Sequence, residues 1–426
     1  MTSEHAMRRQ GPGITALVAA LSSLLLLGAC TESGSPTEQS PAGADSLTAL
    51  PRALTAAEQE GVQANTHFAL HLLRTTSANE SDNVLLSPLS VSFALGMTMN
   101  GATGETFSEM QRTLGWGSRS RGDIIAAYRD LGAMLPALDT SVAVHLANGI
   151  WMRQGFTPDT AFVRQSREFF KAPVLTVATP PLMYDSVNAW AKRETRNMIE
   201  EAVSGPPPSD LVMLLANAVY FAGSWRNAFD VAQTTTAPFT LASGATAPMP
   251  MMRRSAGFNA YEDQQVRAAE LLYGNGAYSM VLVQPKSGTA GTLARTLDVN
   301  QYGRIVQGLR PAEAGSILTM PKFSVRGTLK LSEPLAAMGM PRAFSGGAEF
   351  PFLVVGSRTQ ISEVTHVVAL DVFERGTRAA AVTVVEVVRT TSAQPVYNFD
   401  KPFVFFIRDR LSGTVLFTGL INDPRN

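Results

Sequence analysis

Residues 374–394, ERGTRAAAVTVVEVVRTTSAQ, constrain the chain more than any other stretch. Strict alternation from Thr377 places Thr377, Ala379, Ala381, Thr383, Val385 and Val387 on one side, and Arg378, Ala380, Val382, Val384, Glu386 and Val388 on the other. The first face is small or apolar and carries no charge, while both charges share the second, which is how a half-buried strand reads. Gly376 at its start gives the backbone freedom to swivel. After Val388 the alternation ends in a polar, turn-like run, Arg389 to Pro395. On pattern alone this is equally an ordinary edge strand leading into a loop.

The flanking sequence separates the two readings. ISEVTHVVALDVFERG (361–376) leads into the stretch, and FDKPFVFFIRDRLSGTVLFTGLINDP follows it near the C-terminus. Together they resemble the serpins, the serine-protease-inhibitor superfamily, whose hinge before the reactive loop runs roughly Glu-x-Gly-Thr-x-Ala-Ala-Ala. The matching positions are Glu374, Gly376, Thr377, Ala379, Ala380 and Ala381, with Thr383 continuing the uncharged face. The resemblance implies an α+β fold with a large mixed sheet, smaller sheets, about eight to nine helices and an exposed reactive-centre loop.

The N-terminus reads as a leader. Met7-Arg8-Arg9 is basic, and Ile14 to Leu27 is an apolar run of signal-peptide length, too short for a comfortable membrane span. It ends Leu27-Gly28-Ala29-Cys30, which resembles the cleavage and lipidation box of bacterial lipoproteins, with Cys30 as the acylated residue. Residues 31–45 are rich in Ser, Pro, Gly and Thr and bury too little to order themselves, so they read as a tether. The expected division is 1–29 signal peptide, 30–50 lipidated Cys30 and linker, and 51–426 one folded domain. The expected location is extracytoplasmic, anchored to a membrane through Cys30, or secreted where the anchor is not used.

Composition narrows the partners. The 35 basic and 35 acidic residues balance, which argues against nucleic acid or an anionic membrane surface. A single cysteine rules out an internal disulfide, so stability comes from packing. A monomer without cofactor or metal is expected. His67 and His71, four apart on a helix opened by the capping box Thr55-Ala-Ala-Glu58, have the spacing of metal ligands but no further ligand nearby, and read as a helix-face pair.

The body of the chain extends the resemblance over 51–426. Residues 83–115 match the family's N-terminal signature. Within them Ser87 is expected as N-cap, with Pro88 opening a helix apolar on nearly every side. Arg112, Arg119 and Arg121 read as a solvated face. Val142–Arg153 reads as a central strand, Asp185–Val203 as an amphipathic helix ended by Gly205 and prolines, and Leu211–Trp225 as a long buried strand.

The implied chemistry is inhibition by loop insertion. A protease attacks the loop, forms an acyl-enzyme, and is carried away as the cut segment enters the sheet as a new strand. The resemblance implies that Ser87, Ser90, Asn217 and His366 hold the sheet shut, and that Trp225 stands where the loop enters. None is catalytic, and the chain is not expected to be an enzyme: it has no Gly-x-Ser-x-Gly, Ser-x-x-Lys or His-Glu-x-x-His motif. Fourteen positions from Gly376, the family's usual spacing, lies Thr390, which makes Thr390–Thr391 the scissile bond and suits an elastase-like or subtilisin-like target. A loop one residue shorter puts Arg389 there and selects a trypsin-like enzyme. Serine endopeptidases are the expected partners, cysteine endopeptidases a second class. The alternative is a non-inhibitory binding protein of the same fold, whose hinge is usually bulky or charged. Two departures stand out: Arg375 and Arg378 occupy positions where the family commonly has glutamate.

Overall fold

The computed structural model describes residues 46–78, 82–255, 257–356, 358–377 and 394–425. Cys30, Arg378, Ala379, Ala380, Ala381, Thr383, Arg389, Thr390 and Thr391 lie outside them. The described residues form three sheets and nine α-helices.

A buried helix, Pro88–Met99, lies at the centre. Every one of its residues is buried. Pro88 supplies the pre-set φ of a first helical turn, but the Ser87 hydroxyl does not cap it and instead donates to the Leu416 carbonyl at 2.7 Å. The Thr55 and Glu58 capping box opens the helix Ala56–Thr76 as expected, with Phe68 and Leu72 fully buried. His67 and His71 meet edge to face with ring centroids 6.2 Å apart.

A seven-stranded sheet orders Val84–Leu86, Val415–Ile421, Phe403–Asp409, Tyr278–Pro285, Val266–Leu272, Asn259–Glu262 and Arg310–Pro311. Its strands Phe403–Asp409 and Val415–Ile421 are mostly apolar and almost wholly buried because both faces are covered. A four-stranded sheet joins Val396–Asn398, Ile317–Pro321, Thr246–Arg254 and Thr235–Thr240. The third sheet has six strands in the order Phe323–Lys330, Glu363–Phe373, Gly376–Thr377, Met213–Ser224, Ala143–Arg153 and Val174–Val177. It mixes parallel and antiparallel pairs. Ala143–Arg153 is therefore next to the edge rather than central, and Val174–Val177 covers only its last four residues.

The strands Glu363–Phe373 and Met213–Ser224 of the six-stranded sheet are buried on both faces along most of their length. One face packs on the main core, where Phe221 meets Phe417 with centroids 5.8 Å apart. The other carries the helix Pro180–Glu194 over a second core that includes Trp151, Val187, Trp190, Leu214, Ala216, Ala218, Val367 and Ala369. This helix starts and ends earlier than the sequence suggests. Thr179 caps it and two prolines occupy its first turn, while Arg196 and Asn197 take left-handed φ angles of 52° and 62° and end it well before Gly205. Asparagine tolerates that conformation better than most residues. Arg121 was expected on a solvated face; it is half-buried and donates to the carbonyls of Asn100 and Ala102 just past the central helix.

Candidate functional site

The strands Glu363–Phe373 and Met213–Ser224 pair in parallel from Glu363 opposite Leu214 to Ala369 opposite Tyr220. Above Ala369 they separate. In the opening lies Gly376–Thr377, antiparallel to both neighbours: Thr377 faces Val372 on one side and Gly223 on the other. Gly376–Thr377 fills the top of the opening, while below it the two strands pair directly.

The entrance tolerates little variation. Gly376 has φ +144°, and a Cβ there would stand 2.2 Å from the Gly223 carbonyl oxygen and 2.7 Å from Ser224 Cα. Backbone atoms on that side cannot move aside, so only glycine fits. Thr377 is fully buried, and its hydroxyl shares a 2.8 Å hydrogen bond with the Tyr273 hydroxyl. Burial pushes the Tyr273 phenol well above its ordinary range, so it stays protonated. Its ring stacks on Trp225 with centroids 4.3 Å apart and planes 18° apart. Trp225 in turn donates from Nε1 to the Phe373 carbonyl and from its backbone N–H to Arg375, each at 2.9 Å.

Glu374 anchors the segment that turns into the slot. Its carboxylate accepts from the Thr234 hydroxyl at 2.9 Å and pairs with Lys322 at 3.1 Å. Burial raises its pKa, but hydrogen bonds from its own backbone, Lys322 and Thr234 outweigh that and hold the carboxyl below its usual range.

Farther down, the four residues expected beneath the opening come together. The Ser87 backbone N–H donates to His366 Nε2 at 2.9 Å. That bond makes Nε2 the acceptor and leaves the ring proton on Nδ1, which donates to Asn217 Oδ1 at 2.7 Å. The Asn217 amide donates to Ser90 Oγ and, at 2.6 Å, to Asn148 Oδ1. Burial lowers the His366 pKa to about 3, so the imidazole is neutral. His366 and Asn217 are also directly opposite in the parallel pair. The polar cluster therefore ties the two slot walls to each other and to the central helix.

Asn148, within the stretch 142–153 read as a strand and given no role there, belongs to this cluster as well. It stands opposite Asn217 in the antiparallel register, and an asparagine inside each of two apolar strands was the available signal. The sequence reading assigned Tyr273 no role. Its contact with Thr377 joins residues 104 positions apart and carries no local signature.

A family model described as serpin (serine protease inhibitor) matches residues 63–424. The chain belongs to the serpin family. Among its relatives, Iripin-1 of Ixodes ricinus is 31% identical over 370 residues, covering 84% of this chain and 93% of its own. The leukocyte elastase inhibitor of Bos taurus is 30% identical over 375 residues, covering 85% and 98%. Among solved structures, the thermophilic serpin tengpin in its native state superposes with a TM-score of 0.79 at 26% identity, covering 87% of this chain and 95% of that one. In this serpin, then, Gly376–Thr377 lies in an opening of a mixed sheet whose flanking strands pair directly below it.

Proposed function

We propose that this serpin is an irreversible suicide-substrate inhibitor of serine endopeptidases, with Thr390–Thr391 as the bond attacked. The observation that carries the reading is the register at the slot entrance. Thr377 already faces Val372 and Gly223. Continuing the same two ladders, residue by residue, brings Thr383 between His366 and Asn217, the pair now in contact. Both ladders give the same result, so the walls need not slide along one another. They separate by one strand spacing, about 4.8 Å, and the loop residues from Ala380 to Glu386 enter between residues that are now paired.

The energetics favour completion. About twelve to fourteen residues at ~3.3 Å each make a strand of roughly 40–45 Å. New ladder bonds at a net ~0.5–1.5 kcal/mol apiece supply on the order of 10 kcal/mol, comparable with the whole stability of a typical domain. The face that turns toward the core carries Thr377, Ala379, Ala381 and Thr383, none of which needs a charge removed from water on entry. The same small residues speak against a non-inhibitory role. The leader and Cys30 support an extracytoplasmic lipoprotein as the form in which the inhibitor acts.

The test is incubation with elastase-like, subtilisin-like and trypsin-like proteases, followed by denaturing electrophoresis. A covalent serpin–protease band is expected with at least one of the first two. Cleavage of the loop by all three with no adduct would contradict the proposal.

A further inference from the structure

The turn that carries Tyr273 is fastened from two sides. Tyr273-Gly274-Asn275-Gly276 links the strands Val266–Leu272 and Tyr278–Pro285. Tyr273 bridges to Trp225, and the Gly274 N–H donates to the Ser224 carbonyl at 2.9 Å. Ser224 and Gly223 are the residues that face Gly376 and Thr377. Asn275, at the tip, uses all four of its polar atoms. Its N–H donates to Asp139 Oδ2 at 2.7 Å and its Nδ2 to the Leu138 carbonyl at 2.9 Å. Its Oδ1 accepts from the Ala277 N–H at 2.9 Å. Its carbonyl accepts from Arg226 Nη1 at 3.0 Å and from the Leu47 N–H at 3.1 Å.

The glycines on either side make this possible. A Cβ on Gly274 would stand 2.2 Å from Asp139 Oδ2, and one on Gly276 2.9 Å from Arg226 Nη1. Both have positive φ, 44° and 87°, which glycine adopts without steric cost. Asp139 is buried and is held in turn by the Ser141 N–H and hydroxyl, at 2.9 and 2.6 Å. Leu138 and Asp139 follow the helix Arg121–Met134 and its short extension Leu135–Ala137, and the Tyr278 hydroxyl donates to the Leu135 carbonyl.

Resting on the insertion reading above, we propose that Asn275 is a positioning residue for loop entry. It clamps the turn between the end of that helix and Arg226, so that Tyr273 stands against Trp225 with its hydroxyl at Thr377. Asn275 acts on Thr377 through Tyr273. The place calls for a carboxamide: the Ala277 N–H needs an acceptor and the Leu138 carbonyl a donor, and asparagine offers one of each. Ala277 and Leu138 are buried, so a side chain lacking either group takes a partner from a buried polar atom.

The experiment compares Asn275→Ala and the same-shaped Asn275→Asp with Asn422→Ala in the full chain. Asn422 Nδ2 donates to the Asp82 carbonyl at 2.7 Å, past the far end of the strand Val415–Ile421, and controls for loss of stability alone. Asn275→Asp keeps the acceptor for Ala277 and turns the donor toward Leu138 into an acceptor, so it reports even where Asn275→Ala fails to fold. The first readout is hydrogen exchange at Gly376 and Thr377 in the uncleaved protein. The second is inhibitor molecules consumed per adduct, with Tyr273 and with Tyr273→Phe. Exchange at the two residues is expected to rise about two- to tenfold, the worth of one hydrogen bond, in the Asn275 variants and to stay unchanged in Asn422→Ala. The number consumed per adduct rises in the Asn275 variants, and that rise vanishes in the Tyr273→Phe background. Unchanged exchange, or an equal rise in Asn422→Ala, overturns the assignment and leaves the inhibitor reading standing where adduct still forms. Faster exchange with no adduct from the unaltered chain removes the inhibitor reading and retains Asn275 as the residue that places Thr377.

Discussion

Thr377 and Tyr273 share a buried 2.8 Å hydrogen bond at the point where two strands of the six-stranded sheet part. The bond ties Thr377 to a tyrosine that is itself stacked on Trp225, so the short strand Gly376–Thr377 is held in the opening between its two neighbours. Tyr273→Phe leaves the Thr377 hydroxyl buried without its partner, at a cost of about 1–3 kcal/mol. Urea unfolding of the uncleaved protein should show that loss as a lower midpoint with an unchanged slope. An unaltered midpoint would mean the bond contributes nothing to the native state.

His366 makes stability depend on pH in a definite direction. Burial lowers its pKa to about 3, against about 6.5 in the unfolded chain. The unfolded state therefore binds the proton first on acidification. Stability is full above pH 6.5 and is lost as pH falls toward 3, by at most about 1.4 kcal/mol per pH unit. His71, also lowered by burial, acts in the same sense. Between pH 6.5 and 5, where most carboxylates stay ionised, His366→Gln should flatten the decline, and His71→Gln should flatten it less. An equal slope in wild type and His366→Gln would contradict the assignment.

Thr383 enters between His366 and Asn217 if the two ladders at the entrance continue. Thr383→Arg would place an unpaired charge in the core beside a neutral imidazole, costing several kcal/mol. The variant should be cleaved at an unchanged rate while its yield of covalent adduct drops at least about tenfold. Undiminished adduct would show that residue 383 does not face the core.

The scissile bond can be read from the fragment released on inhibition. Mass spectrometry of the C-terminal peptide should find Thr391 at its start. A peptide beginning at Thr390 would transfer the reactive position to Arg389 and the target class to trypsin-like enzymes.

Much of this was legible in the chain because local chemistry and fold agree. The capping box at Thr55 and Glu58 marks a helix start, and the all-apolar run after Pro88 marks a helix with no solvent face. Ser87, Ser90, Asn217 and His366 could be assembled only through family resemblance, since they lie on separate elements. The Ser87 hydroxyl shows the limit of local rules: a sequence that reads as an N-cap is overridden by a carbonyl, Leu416, over 300 residues away. The helix over the sheet was misplaced because Met198 and Ile199 continue an apolar pattern past Thr195, yet they pack as a turn closed by left-handed Arg196 and Asn197. The contact of Tyr273 with Thr377 depends on tertiary register, which no window of sequence contains.

The central claim is that the native sheet is one strand short and that the loop supplies it. Limited proteolysis of the reactive loop, followed by thermal unfolding of the nicked and intact proteins, tests it most directly. A gain of about 10 kcal/mol, at roughly 1–2 °C per kcal/mol for a domain of this size, predicts a Tm higher by at least about 10 °C after cleavage. An equal or lower Tm in the nicked protein would contradict the account.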